Sequence, residues 1–129
     1  MTLATETAPA ISGLEFIRAI AAGQIPPPTM AVTMRMEPTE VEEGRVVFSG
    51  RPGEEHYNPI GSVHGGYAAT LLDSALGCAV QTTLAAGVGY ATASLEIKYL
   101  RPISRDTGRV VAEARVVHSG RTQATAEAE

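Results

Sequence analysis

Cysteine is nearly absent. Cys78 stands alone in 129 residues, so no internal disulfide can form and no thiol pair can begin a zinc site. The chain needs no oxidising compartment, and a cytoplasmic location is the expectation. A secretory leader is also missing: MTLATETAPA has neither a basic opening nor a long apolar core, and residues 1–11 read as a loose tail. Charge disappears altogether from Ser74 to Leu95, a length that would reach across a bilayer. That run, however, contains Gly77, Gln81, Thr82, Thr83, Gly87 and Gly89, and it turns from helical to strand-like periodicity halfway along. A membrane-spanning helix would do neither. Repeats and low-complexity segments are lacking too, and with 44% hydrophobic and 19% charged residues the chain reads as one globular domain over 1–129.

Positive charge is in deficit, with a formal net of −4, which argues against general nucleic-acid binding. The cations there are cluster late. Lys98, Arg101, Arg105, Arg109, Arg115 and Arg121 face only Asp106 and Glu113 between 98 and 121, a local net of +4 that leaves −8 for the remainder. Such a distribution suits a local anionic ligand, or simply the solvated outer faces of strands.

Ser12 followed by Glu15 has the form of a capping box, and Leu14, Ile17, Ile20 and Ala21 continue it at helical spacing to about Gly23. The prolines at 26–28 stop this short helix. MAVTMRMEPTEVEEGRVVFSG then reads as a hairpin with its turn around the acidic stretch, and a helix follows from about Gly65 to Ala86. YATASLEIKYL alternates as a strand that Pro102 ends, GRVVAEARVVHSG is another, and RTQATAEAE begins a third that the chain end cuts off. The fold class is α+β: a mainly antiparallel sheet of about five strands wrapped around one long, nearly all-apolar helix.

That helix carries one acid, Asp73. Gly66, Ala69, Thr70 and Gly77 fall within about 60° of it at about 100° per residue, so it stands on a strip of small side chains. A carboxylate there is either hydrogen-bonded to a neighbouring element or does chemistry. His64 alone reads as a structural group. His56 and His118 have no neighbours spaced like metal ligands, and Cys78 reads as core packing, so no metal is expected. HGG before a long helix says more, because the first amides of a helix lack internal partners and can stabilise an oxyanion. Gly65 and Asp73 lie about 12 Å apart along the helix, whereas a catalytic acid or base must come within about 3 Å of its target. Two such helices antiparallel in a symmetric dimer would bring one Gly65 amide to the other Asp73.

NPIGSVHGGYAATLLDSALG, ATASLEIKYLRP and HSGRT together resemble the hotdog-fold acyl-CoA thioesterases, over about residues 30–129. The branch most similar is the phenylacetate-degradation (PaaI-like) type, related to 4-hydroxybenzoyl-CoA thioesterases. Gly77 lacks the hydroxyl that some 4-hydroxybenzoyl-CoA relatives carry one turn after the acid, which disfavours that subtype. The resemblance implies a hotdog fold and hydrolysis of an acyl-CoA, aryl or medium-chain, to free acid and coenzyme A. In that setting Asp73 is nucleophile or general base, Gly65 polarises the thioester carbonyl, and His64 orients the loop or substrate. Asn58 positions substrate or water, and Thr92 stands near the acid. Gly66, Arg101, Ser119, Gly120 and Arg121 are the substrate-side candidates, the last four for coenzyme A phosphates. It also implies a homodimer with shared sites, a tetramer as the assembly, and no cofactor besides the coenzyme A of the substrate. The hotdog sheet usually has one more complete strand than this sequence shows. Alternatives that share the fold are an enoyl-CoA hydratase or dehydratase, for which His56 is the spare histidine, and a non-catalytic acyl-CoA binding module.

Overall fold

In a computed structural model of the chain, residues 10–129 and the backbone of 2–4 are described. The organising element is α3 (Gly65–Gln81), whose Tyr67, Leu71, Ala75 and Ala79 repeat every fourth residue and are buried. That stripe packs on Val46 and Phe48 of β3 (Arg45–Gly50) and on Ala112 and Ala114 of β5 (Val110–Ser119), in one apolar cluster. The two alanines leave room for the helix axis to come close to the sheet. Four antiparallel strands run in the order β2 (Met36–Glu42), β3, β5, β6 (Ala124–Ala128). The long helix and the antiparallel sheet are those of the expected α+β fold.

Of the capping box at Ser12 the N-cap half forms: its hydroxyl oxygen accepts the Glu15 amide at 3.2 Å and opens α1 (Gly13–Ala21), while the Glu15 carboxylate accepts from the same hydroxyl at 3.1 Å instead of from the Ser12 amide. After the three prolines comes a short helix, α2 (Thr29–Thr33), where the sequence pattern predicts strand. The hairpin therefore starts only at Met36. Its turn is the tight Glu43–Gly44, with Gly44 at φ +79°, and the acidic stretch lies within β2 instead of forming the turn. The long helix stops at Gln81 and not near Ala86. Thr82 and Thr83 fold their hydroxyls back to the carbonyls of Ala79 and Val80, at 2.6 and 2.7 Å, and Thr82 also accepts the Gly44 amide at 2.8 Å.

The strand expected over 90–100 differs most. Only β4 (Gly89–Ala91) forms, pairing antiparallel with β1 (Thr2–Ala4). Residues 92–100 carry no ladder, and Leu95, Tyr99 and Leu100 are exposed. Ser94, Leu95 and Glu96 instead border, together with Ala124, Thr125 and Ala126 of β6, a cavity of about 310 Å³, where the expected fold would have a ladder. The loose tail expected over 1–11 is replaced at Thr2–Ala4 by a strand, and at residues 1 and 5–9 it lies outside the described residues.

Candidate active site

The loop before α3 is held by its own polar groups. Asn58 Oδ1 accepts the amides of Ile60 at 3.1 Å and Ser62 at 3.0 Å, closing a local turn. Val63 donates its amide to the Ile103 carbonyl, and the Ser62 hydroxyl donates to the same oxygen. The His64 amide donates to the carbonyl of His56 at 2.8 Å. His56 itself is buried with both ring nitrogens engaged: Nδ1 accepts the Gly53 amide and Nε2 donates to the Thr33 carbonyl, each at 2.9 Å. It is no spare catalytic histidine but the post to which this loop is tied.

These bonds set His64 at the N-cap of α3, where its Nδ1 accepts the Gly66 amide at 2.7 Å. The next amide outward, that of Gly65, has no acceptor among the described residues, and the residue is exposed. The Gly65 carbonyl is held from behind by the Tyr99 hydroxyl at 2.9 Å. Asn58, His64, Gly65, Tyr99 and Arg101 line one cleft of about 370 Å³, and the strongly exposed apolar side chains of Ile60 and Leu100 stand at its walls.

Asp73 lies two turns along the same helix, half-buried, and its Oδ1 accepts the Thr92 hydroxyl at 2.9 Å. It borders the 310 Å³ cavity between the 94–96 segment and β6. Close by, the Tyr90 hydroxyl rests on Gly77 so tightly that a Cβ there would collide with it. Burial raises the Tyr90 phenol above its ordinary range, helped by the charges of Cys78 and Asp73. Burial first, and then the Asp73 charge, push the Cys78 thiol up to about 12, so at neutral pH it is neither nucleophile nor metal-ready thiolate. Among the described residues no cluster of three His, Cys, Asp or Glu could hold a metal ion.

The expected site thus falls into two halves on one chain, Asn58, His64, Gly65 and Arg101 in one cleft, Asp73 with Thr92 in another. Gly66 contributes no free amide because His64 takes it. Ser119 ends β5, Gly120 and Arg121 sit on the turn to β6, where the Gly120 amide donates to the Gln123 carbonyl, and none of the three lines either cleft. Asn58 spends Oδ1 on its own turn, so its contribution is to shape the loop. Tyr99 escapes sequence reading: alternation along 91–99 predicts an inward apolar residue, and nothing in the pattern marks its hydroxyl as the tether of Gly65.

Comparison with known proteins bears on the family and the fold. Residues 60–129 match the model of the Thioesterase superfamily. A protein of Halobacterium salinarum, provisionally named an esterase, is 45% identical over 78 residues, 59% of this chain; the chain spans just under half of that protein's length, 46%. The crystal structure of a phenylacetic acid degradation-related protein of Ralstonia eutropha JMP134, provisionally named a thioesterase, superposes with a TM-score of 0.76 at 25% identity, covering 88% of each chain. The E. coli PaaI protein from the phenylacetic acid degradation operon shares the fold, with a TM-score of 0.69 at 21% identity over 89% of this chain and 90% of that one. With more than half of its length matched by the family model, and with the long helix and antiparallel sheet of its structural neighbours, the chain belongs to the Thioesterase superfamily.

Proposed function

We propose that this protein hydrolyses an acyl-CoA thioester to a free acid and coenzyme A, from composite sites in a homodimer. The observation that carries the reading is the open amide of Gly65 at the N-terminus of α3, with Asp73 about 12 Å along the same helix. The amide and the helix dipole suit a developing oxyanion. The acid is too far away to act on the same carbonyl, and a two-fold axis that lays α3 antiparallel to its copy removes the discrepancy. Ile60 and Leu100, strongly exposed beside Gly65, are apolar surface that such a partner would cover.

In this scheme Gly65 of one protomer binds the thioester oxygen. Asp73 of the other takes a proton from water, the hydroxyl oxygen bonds to the carbonyl carbon, and the C–S bond then breaks to release coenzyme A thiolate, which is protonated. Direct attack by Asp73, through an anhydride that water opens, is the variant of the same site. Thr92 orients the carboxylate, and Arg101 on the cleft wall supplies positive charge for coenzyme A phosphate. By family resemblance the assembly is a tetramer made of two such dimers, working in the cytoplasm without a metal or redox cofactor. The hydratase reading loses ground because both His56 nitrogens are engaged.

Thiol release from a panel of acyl-CoAs tests this directly. Asp73→Asn is expected to lower turnover about 100-fold or more. Wild-type turnover in that variant would remove Asp73 from the chemistry, hydration of enoyl-CoA without thiol release would make the protein a hydratase, and binding without turnover would make it a binding module. Sedimentation checks the geometry separately, since an active monomer contradicts a shared site.

A further inference from the structure

We propose that the apolar cavity enclosed by α1, the Pro26–Pro28 turn, the sheet and α3 receives the acyl group of the substrate, and that Tyr90 is the partition that decides how much of it enters. The proposal rests on the thioesterase reading above and adds to it the place and character of the acyl site. The cavity measures about 380 Å³, within the range of small-molecule pockets, and its walls include Phe16, Ile20, Met30, Met36, Phe48 and Tyr90. Among the described residues no charged side chain lines it, and this apolar lining suits the hydrocarbon end of a thioester.

Its position relative to Asp73 follows from helix geometry. Taking Asp73 as zero, Gly77 stands at about 40° around α3, Gln81 at about 80°, Ser74 at about 100° and Cys78 at about 140°. The last three line the cavity, whereas Asp73 does not. Between them, at Gly77, sits the Tyr90 hydroxyl, and only the missing Cβ of that glycine lets the ring lie there. Two residues further on, Thr92 bonds the Asp73 carboxylate. One short stretch therefore carries both the group that orients the acid and the ring that walls the acid off from the apolar space. Tyr90 lies on the three-residue strand β4, next to Gly89 and close after Gly87 at φ +82°, and its hydroxyl makes no hydrogen bond among the described residues. The ring is held by packing alone, so an acyl group can displace it without breaking a polar contact.

The experiment measures kcat/KM for acetyl-, butyryl-, hexanoyl-, octanoyl- and phenylacetyl-CoA with wild type, Ile20→Trp, Met30→Trp and Tyr90→Ala, each checked for folding by thermal melt. In wild type, kcat/KM should climb with acyl length by about fourfold per methylene until the space is filled. Ile20→Trp should cost octanoyl- and phenylacetyl-CoA about tenfold or more while leaving acetyl-CoA within about twofold. Should that variant melt early, Met30→Trp at the exposed rim carries the same expectation. Tyr90→Ala should raise the octanoyl-to-acetyl ratio. Turnover that is flat across acyl length, or that falls equally for every substrate in the tryptophan variants, overturns the assignment of the cavity while leaving the thioesterase intact. A wild type that releases thiol from none of the five overturns the thioesterase reading itself.

Discussion

The two ends of the candidate site are built in opposite ways. Around Gly65, the loop over 51–64 is laced by the two acceptor bonds of Asn58, both nitrogens of His56 and the cap from His64, with the Tyr99 hydroxyl behind the glycine carbonyl. Around Asp73, one hydroxyl from Thr92 makes the only polar contact among the described residues, and residues 92–100 that carry it join no ladder. The difference separates two physical tasks. An amide must be fixed where charge will appear, since its value lies in needing no reorganisation. A carboxylate that moves protons or attacks needs reach, and many fixed donors would lower its basicity.

Substitutions can break this contrast from either side. The largest effect is expected from Gly65→Pro. It deletes the open amide at the first position of a helix, where proline is tolerated, and His64 at ψ 137° already has the backbone that a following proline requires. Thiol release should fall about 100- to 1,000-fold with little change in melting temperature. Mixing this variant with Asp73→Asn under subunit exchange should recover about a quarter of wild-type activity, because half the dimers then hold one intact composite site. No recovery would place both groups of a site on one chain.

His56→Ala comes next, and it should act on stability. It takes the partner from the part-buried Gly53 amide and Thr33 carbonyl, at about 0.5–1.5 kcal/mol for each hydrogen bond, so a denaturant melt should lose about 1–3 kcal/mol. A variant that kept its stability and lost activity would return His56 to the chemistry. Thr92→Val is smaller: turnover should drop about tenfold with the melt unchanged, the mark of one orienting hydrogen bond.

The smallest effect is expected far from both ends, at Glu113. Its hydrogen bond to Arg45 holds the carboxyl below the usual range. A depressed carboxylate stabilises above its unfolded pKa, and that contribution disappears as pH falls through the folded value. Glu113→Gln should therefore lower the melting temperature slightly at neutral pH, with the gap to wild type closing in acid. Activity should not move.

Much of this was legible because it depends on local pattern. HGG before an apolar run places an amide at a helix start, and a lone Asp73 among small residues places an acid on the same helix. Thr92 against Asp73 followed from family resemblance and holds as geometry. What escaped depends on groups distant in the chain. The end of α3 turns on the Thr82 hydroxyl, which meets both its own helix and the β2–β3 turn, and residues 94–96 border a cavity beside β6 where alternation alone predicts a strand. The role of His56 needed Gly53 and Thr33 brought around it, which no spacing rule foretells.

Thr92 and Tyr99 belong to one stretch of chain and touch opposite ends of the site, so that stretch works as a gauge. Its composition between the two contacts is almost free, because Ala93, Ser94, Leu95, Glu96 and Lys98 all face solvent. Its count is not free. In extended backbone, successive side chains alternate sides, and one inserted residue would keep one anchor seated while turning the other away. Over evolutionary time this segment should accept almost any substitution and refuse a change in length.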